Sequence, residues 1–171
     1  LKKNEPEVYK KACKFLTGSS YVTAKLTGNY TVDRFLGIAS FRPFYQMDGT
    51  IREEMCDPIC SPSQLAEGHA VTDIAGRVTE AAAAETGLAP GTPVIVGTGD
   101  SAAEAISTGV LSPGDLMVQF GSSLFFYCCT DRMVTDERVR GNSFVIPGRY
   151  SIAAGTNNAG TLQNWYRDTL F

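Results

Sequence analysis

The stretch TPVIVGTGDSAAEAISTGVLSPGDLMVQFGSSLFFY, from Thr92 to Tyr127, decides the fold class. It opens with an apolar run, Pro93 to Val96, which has no polar interruption and predicts a buried, parallel strand. Gly97 and Gly99 come next, and residues without a Cβ atom let the backbone turn sharply. Asp100 therefore lies where a strand ends and a helix begins, which is the edge at which open α/β sheets bind ligands.

The rest of the stretch predicts a short helix and then a β-hairpin. Small residues from Asp100 to about Thr108 predict a slim helix, and a Ser-Pro-Gly turn separates this helix from the hairpin. Leu116 to Phe120 and Leu124 to Cys129 are apolar runs on either side of Gly121-Ser122-Ser123. Two such runs around a tight glycine-containing turn are typical of a hairpin. The fold class predicted from these elements is α/β.

Composition excludes two classes of partner. The 171 residues are 43% hydrophobic and 19% charged, and the formal net charge is −3. A net negative chain offers no electrostatic attraction for nucleic acid or for an anionic membrane surface. Its longest apolar runs are far shorter than the roughly 20 residues that a membrane span needs. We therefore expect no nucleic-acid partner and no membrane partner.

Cysteine usage predicts a reducing compartment. The five cysteines are irregularly spaced, and an odd number argues against a disulfide framework. Only one histidine in the whole chain could join Cys56 and Cys60, and no second cysteine pair has the spacing of a zinc finger, so a zinc site is not expected. No apolar leader is visible at the amino terminus. These observations together predict a cytoplasmic protein.

Asp100 and the turn Gly121-Ser122-Ser123 suggest phosphoryl transfer. That chemistry needs a base to orient and deprotonate a hydroxyl group, and donors to hold phosphate oxygens. Asp100 could be the base, and the N–H and hydroxyl groups of a small-residue turn could hold the phosphates. The local pattern alone also fits a helix N-cap for Asp100 and an ordinary hairpin turn for Gly121 to Ser123.

A second interpretation is a dinucleotide-dependent oxidoreductase. Gly97-x-Gly99-x-x-Ala102 matches the spacing of the dinucleotide fingerprint between a strand and a helix. That fold needs an acidic residue at the end of the next strand to hold the ribose. The next strand here ends at Gly121, while the acidic Asp115 precedes it.

The order of motifs along the chain resembles the FGGY carbohydrate kinases, their xylulokinase branch most of all. The match uses Thr79 to Leu88, Gly91 to Ala103 and Val110 to Ser123. Upstream, Lys14 to Asp33 is similar to the family's helix, Leu-Thr-Gly turn and Asp. Downstream, Gly155 to Leu170 is similar to its small-residue loop and helix, so the resemblance covers nearly the whole chain.

The resemblance implies an ATP-dependent sugar or polyol kinase with an actin-like, ribonuclease-H-like fold. Residues 1–112 would be the end of the sugar-binding domain, and residues 113–171 the beginning of the nucleotide-binding domain. Asp100 would be the general base and a sugar ligand, with Ser101 a second sugar contact. Gly121, Ser122 and Ser123 would bind the ATP phosphates, with Mg²⁺ bridging them. Xylulose or a similar compound is the expected substrate.

Two departures from the family pattern leave the identity of the sugar substrate open. Ser122 stands where Thr is usual, and Ile51 where Trp is common.

The family's amino-terminal phosphate loop and its later adenosine motif are not found in this sequence, so the chain resembles the middle of such an enzyme. Apolar surface that those parts would cover predicts self-association into a homo-oligomer. A non-catalytic domain with the same fold is the remaining alternative.

The isolated 171-residue chain should have no kinase activity, because it has only part of the family's active site. A coupled assay for ADP, run with ATP, Mg²⁺ and a panel of sugars and polyols, measures this directly. Sugar-dependent production of ADP by the isolated chain would contradict the expectation.

Overall fold

The computed structural model describes residues 1–171, apart from the side chains of Leu36 and Arg140. The chain divides into two compact units, which we call the first unit, Leu1–Gly99, and the second unit, Asp100–Phe171. In chain order, the first unit contains α1 (Pro6–Lys11), α2 (Gly18–Thr27), β1 (Thr31–Asp33), α3 (Leu36–Ser40), 3₁₀ turns at Glu53–Met55 and Pro62–Gln64, β2 (Glu67–His69), β3 (Ile74–Arg77), α4 (Glu80–Thr86) and β4 (Pro93–Ile95).

Two helices of the first unit share the same signals at their ends. The side chain of Thr17 accepts a hydrogen bond from the first turn of α2, and that of Thr79 does the same for α4. Each helix stops at a left-handed glycine, Gly28 with φ 79° and Gly87 with φ 76°. Glycine is favoured there because a Cβ atom would clash in this conformation.

The core of the first unit lies around the short parallel pair β1 and β2. Thr31 pairs with Glu67 and Asp33 with His69. The fully buried members of this core come from β1, α3 and the loops after them: Val32, Ile38, Tyr45, Cys56, Leu65 and Ala66. The hydroxyl of Tyr45 donates to the backbone oxygen of Ala66 at 2.7 Å, so its one polar group is satisfied inside the core.

The prediction of a buried, parallel strand at Pro93 to Val96 was wrong. β4 pairs with β3 alone, in the antiparallel direction, with Arg77 opposite Pro93 and Ile74 opposite Ile95. Ile95 is 50% exposed. A short apolar run is compatible with a strand that is buried on both faces. It does not specify which segment of the chain pairs with that strand. That choice depends on β3, which precedes α4 in the chain.

The second unit is built on one antiparallel sheet. Its elements are α5 (Asp100–Ser107), β5 (Leu116–Phe120), β6 (Leu124–Thr130), β7 (Arg140–Ser143), β8 (Tyr150–Thr156) and α6 (Gly160–Leu170). The strand order is β5-β6-β8-β7. β5 and β6 form the predicted hairpin, with Leu116 opposite Cys128 and Phe120 opposite Leu124.

The two faces of this sheet differ in exposure. Met117 lies opposite Tyr127, and Cys129 lies opposite Ser151. All four residues are buried. The ring of Phe144 packs against that of Tyr127 with centroids 5.8 Å apart. The other face carries alternate residues of β5 that are 54%, 52% and 60% exposed: Leu116, Val118 and Phe120. Such a face is suited to covering by another element or chain, and the homo-oligomer remains a prediction.

None of the helices that the structure describes has both the length and the apolar character required to cross a bilayer.

Two buried tyrosines predict loss of stability at alkaline pH. Burial raises the pKa of Tyr45 and of Tyr127 to about 12, against about 10 for an unfolded tyrosine. The folded state therefore holds these protons more tightly than the unfolded state. The contribution of these two groups to the free energy of unfolding is fully present below pH 10 and declines as the pH rises toward 12.

In chemical denaturation, the free energy of unfolding of Tyr127→Phe should decline less over this pH range than that of the wild-type protein. The matched control is Tyr166→Phe, at a ring that is 51% exposed, and an equal decline in all three proteins would contradict the prediction.

Candidate active site

The loop that leads to Asp100 is held by backbone hydrogen bonds within the first unit. The N–H of Val96 donates to the oxygen of Asp73 at 2.9 Å, and the N–H of Gly97 donates to that of Val71 at 3.0 Å. The hydroxyl of Thr23 donates to the oxygen of Val96 at 3.3 Å. Gly97 has φ 73°, so its lack of a Cβ atom permits the turn after β4.

A buried carboxyl group that was not among the predicted site residues anchors the same loop. Asp33, at the end of β1, is 1% exposed. Its Oδ1 atom accepts a hydrogen bond from the hydroxyl of Thr98 at 3.3 Å. The sequence does place an Asp after the Leu-Thr-Gly turn, but nothing in the pattern shows that it reaches Thr98.

Asp100 is the first residue of α5, and its side chain is exposed. Its Oδ1 atom accepts a hydrogen bond from the N–H of Ser101 at 2.7 Å. Within the described part of the chain, Oδ2 has no hydrogen-bond partner. Asp100 therefore satisfies an N–H group of the first helical turn, as a helix-end carboxylate does. Its second oxygen remains able to accept a proton or a hydrogen bond.

The turn from Gly121 to Ser123 closes tightly and is exposed at all three residues. The N–H of Gly121 donates to the backbone oxygen of Ser123 at 2.8 Å. For the hydroxyl groups of Ser122 and Ser123, the described residues provide no hydrogen-bond partner. Two free hydroxyls on a small-residue turn are suited to binding an anion such as a phosphate group.

The start of α6 is joined to this turn by backbone contacts. The N–H of Gly160 donates to the oxygen of Gly121, and the N–H of Ala159 to that of Ser122, each at 2.9 Å. The hydroxyl of Thr161 also donates to Ser122 O, at 3.2 Å. The turn thus uses several of the N–H groups at the start of α6 that would otherwise lack partners. Anion binding would therefore depend chiefly on the serine hydroxyls.

Residue 160 must be glycine for this approach. A Cβ atom added there would lie 2.6 Å from the backbone oxygen of Gly121, closer than carbon and oxygen atoms approach without repulsion. The sequence shows the small residues before α6, but pairing them with the hairpin turn requires the tertiary structure. Like Asp33, the segment Ala159 to Thr161 is therefore a part of the site that sequence reasoning missed.

The predicted site residues fall into two groups. Asp100 and Ser101 lie together at the start of α5, and Gly121, Ser122 and Ser123 lie together at the hairpin turn. In the described structure, no hydrogen bond or ion pair joins one group to the other.

The structure does not support the dinucleotide fold. The fingerprint requires the strand before the glycines and the strand after the helix to be parallel members of one sheet. Here β4 pairs only with β3, while β5 belongs to the other sheet and pairs with β6. Asp115 is also committed elsewhere, because its carboxylate accepts from the N–H groups of Leu111 and Ser112 at 3.0 and 2.7 Å. Those two hydrogen bonds, that of Ser112 first, hold the pKa of Asp115 below its ordinary value.

The fit of Mg²⁺ and ATP can be judged from the donor groups present. Among the described residues, no cluster of three or more His, Cys, Asp or Glu side chains could hold a metal ion. Mg²⁺ in such sites is commonly held by one or two carboxylates together with substrate phosphates. The exposed hydroxyls of Ser122 and Ser123 fit phosphate oxygens, and a bound ion would depend mainly on the phosphates themselves.

Gly160→Ala should destabilise the protein by about 1–3 kcal/mol, because the new Cβ atom forces the turn away from α6. Gly18→Ala is the matched control. Gly18 is likewise the first residue of its helix, and a Cβ atom there would have no neighbour within 4 Å. This control should be neutral or stabilising by up to about 1 kcal/mol. Urea unfolding of the two variants and the wild type makes the comparison, and equal stability of both variants would contradict the close approach.

Comparison with known proteins identifies the family. Residues 1–107 match the model of the FGGY family of carbohydrate kinases, N-terminal domain. The autoinducer-2 kinase of Klebsiella pneumoniae subsp. pneumoniae is 30% identical over 99% of this chain and 32% of its own length. The gluconokinase of Bacillus subtilis is 24% identical over 95% of this chain and 32% of its own length. The chain thus spans about a third of the length of these relatives.

A solved structure supports the same assignment. The xylulose kinase from Rhodospirillum rubrum superposes with a TM-score of 0.82 at 28% identity, covering 96% of this chain and 34% of that protein. This likeness confirms the expected actin-like fold, of which the chain contains a part. No comparison supports the oxidoreductase interpretation. With more than half of its residues matched by the family model, the chain belongs to the FGGY family of carbohydrate kinases.

Proposed function

We propose that the protein containing this chain transfers the γ-phosphoryl group of ATP to a hydroxyl group of a xylulose-like sugar or polyol. The observation that carries the proposal is the pair of exposed groups in a carbohydrate-kinase chain: a carboxylate at the start of α5, and a hydroxyl-rich turn braced by α6. The first is suited to accepting a proton, and the second to binding phosphate oxygens.

In this proposal Asp100 is the general base. Its Oδ2 atom would accept a hydrogen bond from the attacking sugar hydroxyl and take its proton as the new P–O bond forms, while the bond from the γ-phosphorus to the bridging oxygen breaks and ADP leaves. The hydrogen bond from the N–H of Ser101 to Oδ1 fixes the orientation of the carboxylate. Ser101, half-buried beside it, would bind a neighbouring sugar hydroxyl with its own side chain.

Gly121, Ser122 and Ser123 would hold the phosphates. The hydroxyl groups of Ser122 and Ser123 can donate to phosphate oxygens, and hydrogen bonds from Ala159, Gly160 and Thr161 hold the turn against the start of α6. Preorganised donors of this kind stabilise charge in the transition state without a cost of reorganisation. Mg²⁺ bound with ATP would supply further neutralisation of the phosphate charge.

The substrate class is a polyhydroxy compound. Proteins named autoinducer-2 kinase, gluconokinase and xylulose kinase match this chain over nearly all of its length, so this segment is compatible with more than one compound. We propose xylulose or a similar ketose as the first candidate. We also propose that residues 1–112 belong to the sugar-binding domain and residues 113–171 to the nucleotide-binding domain.

Replacing Asp100 by Asn in the full-length protein should lower kcat by two to four orders of magnitude, the usual contribution of a general base. Binding of ATP, measured by calorimetry, should change little, because the turn at Gly121 is untouched. Glu104→Gln is the matched control, since Glu104 is an exposed carboxylate on the same helix.

The experiment begins with a substrate panel on the wild-type protein, using xylulose, ribulose, gluconate and glycerol. A wild-type protein that phosphorylates none of them would argue for a non-catalytic domain. An Asp100→Asn variant with turnover close to that of Glu104→Gln would remove Asp100 from the role of base.

A further inference from the structure

The carboxyl group of Asp33 is buried and accepts hydrogen bonds at both oxygens. Oδ1 accepts from the N–H of Phe35 at 3.0 Å and from the hydroxyl of Thr98 at 3.3 Å. Oδ2 accepts from the N–H of Gly37 at 2.9 Å. The residue is 1% exposed. Burying a carboxyl group costs several kcal/mol unless such donors compensate it, so the surrounding chain is arranged to supply them.

Two of these donors are local and hold the carboxyl group in one orientation. Phe35 and Gly37 are two and four residues beyond Asp33, so their N–H groups meet it as the backbone enters α3. A Cβ atom at Gly37 would lie 2.7 Å from Oδ2, and closer still to the side chain of Val32. Glycine is therefore required for the N–H group to reach the carboxylate.

The third donor is distant in sequence and enters from the loop before the proposed base. Thr98 is 65 residues beyond Asp33 and lies between Gly97 and Gly99, two residues that give the backbone unusual freedom. Backbone bonds hold Val96 and Gly97 to other parts of the first unit. From Thr98 the chain passes through Gly99 to Asp100, so the side chain of Thr98 is the anchor nearest to the base.

We propose that Asp33 is a positioning residue for Asp100, acting through the hydroxyl of Thr98. The inference rests on the proposed role of Asp100 as base. With the Thr98 hydroxyl bound, the segment immediately before Asp100 is held in one conformation. Without it, the carboxylate of Asp100 samples positions from which the substrate hydroxyl is out of reach. A displacement of about 1 Å in a catalytic group can cost about 100-fold in rate.

A purely structural role makes a different prediction. If the bond only stabilised the first unit, its loss would lower the melting temperature but leave kcat unchanged in protein that remains folded. If it positions Asp100, kcat falls while the KM for ATP stays constant, because the phosphate-binding turn is not involved.

The test uses three variants of the full-length protein. Thr98→Val removes the hydroxyl and preserves the shape, and Thr98→Ser keeps the hydroxyl. Thr92→Val is the matched control, because the Thr92 hydroxyl donates to the oxygen of Ala89 in an exposed turn of the same segment. We expect kcat to fall 10- to 100-fold in Thr98→Val, with the KM for ATP within twofold of the wild type. Thr98→Ser and Thr92→Val should remain within about threefold of wild-type kcat.

Hydrogen exchange provides a readout that does not depend on turnover. In Thr98→Val, exchange of the backbone amides from Thr98 to Ala102 should accelerate at least 10-fold at a temperature where the protein is folded. The same amides in Thr92→Val should exchange at the wild-type rate. Unchanged exchange in Thr98→Val would overturn the inference, since the loop would then be fixed without the hydroxyl.

The outcomes separate this inference from the proposed function. If Asp100→Asn abolishes turnover and Thr98→Val retains wild-type kcat, only the positioning role is overturned. Equal loss of activity in Thr98→Val and Thr98→Ser would overturn it too, because the hydroxyl would not be the cause. If Asp100→Asn is as active as the wild type, the proposed function fails and the positioning role fails with it.

Discussion

The buried carboxyl group of Asp33 is the constraint on which the arrangement of the first unit depends. It gathers two N–H groups from the entry into α3 and one hydroxyl from a loop 65 residues away. A buried carboxyl group tolerates few arrangements, because its burial is costly unless hydrogen-bond donors compensate it. The side chain of Asp33 therefore joins the end of β1, the start of α3 and the loop after β4.

The second unit achieves a similar restriction by close backbone contact. The oxygens of Gly121 and Ser122 accept N–H groups from the start of α6, and the missing side chain at Gly160 allows the approach. The hairpin turn and the helix thereby compensate each other's unpaired backbone groups. The two serine hydroxyls remain exposed at the turn, which is the property that a phosphate-binding turn requires.

Local signals in the sequence predicted much of the fold. The small residues after Asp100 form the expected helix, and the apolar runs around Gly121 form the expected hairpin. The direction and burial of β4 were predicted wrongly, since strand pairing depends on a distant partner that an apolar run does not specify. Asp100 was placed correctly at the start of a helix, and the catalytic roles of the site residues remain predictions.

The sequence by itself determined the family, because ordered motifs along nearly the whole chain leave few alternatives, and the match of residues 1–107 bears this out. It also determined where most turns and helix ends fall, since glycine, proline and hydroxyl side chains act within a few residues of their own position. Only the tertiary structure decided that Asp33 meets Thr98 and that Gly160 meets Gly121. Those contacts join residues far apart in the chain, and their existence depends on how the intervening segments pack.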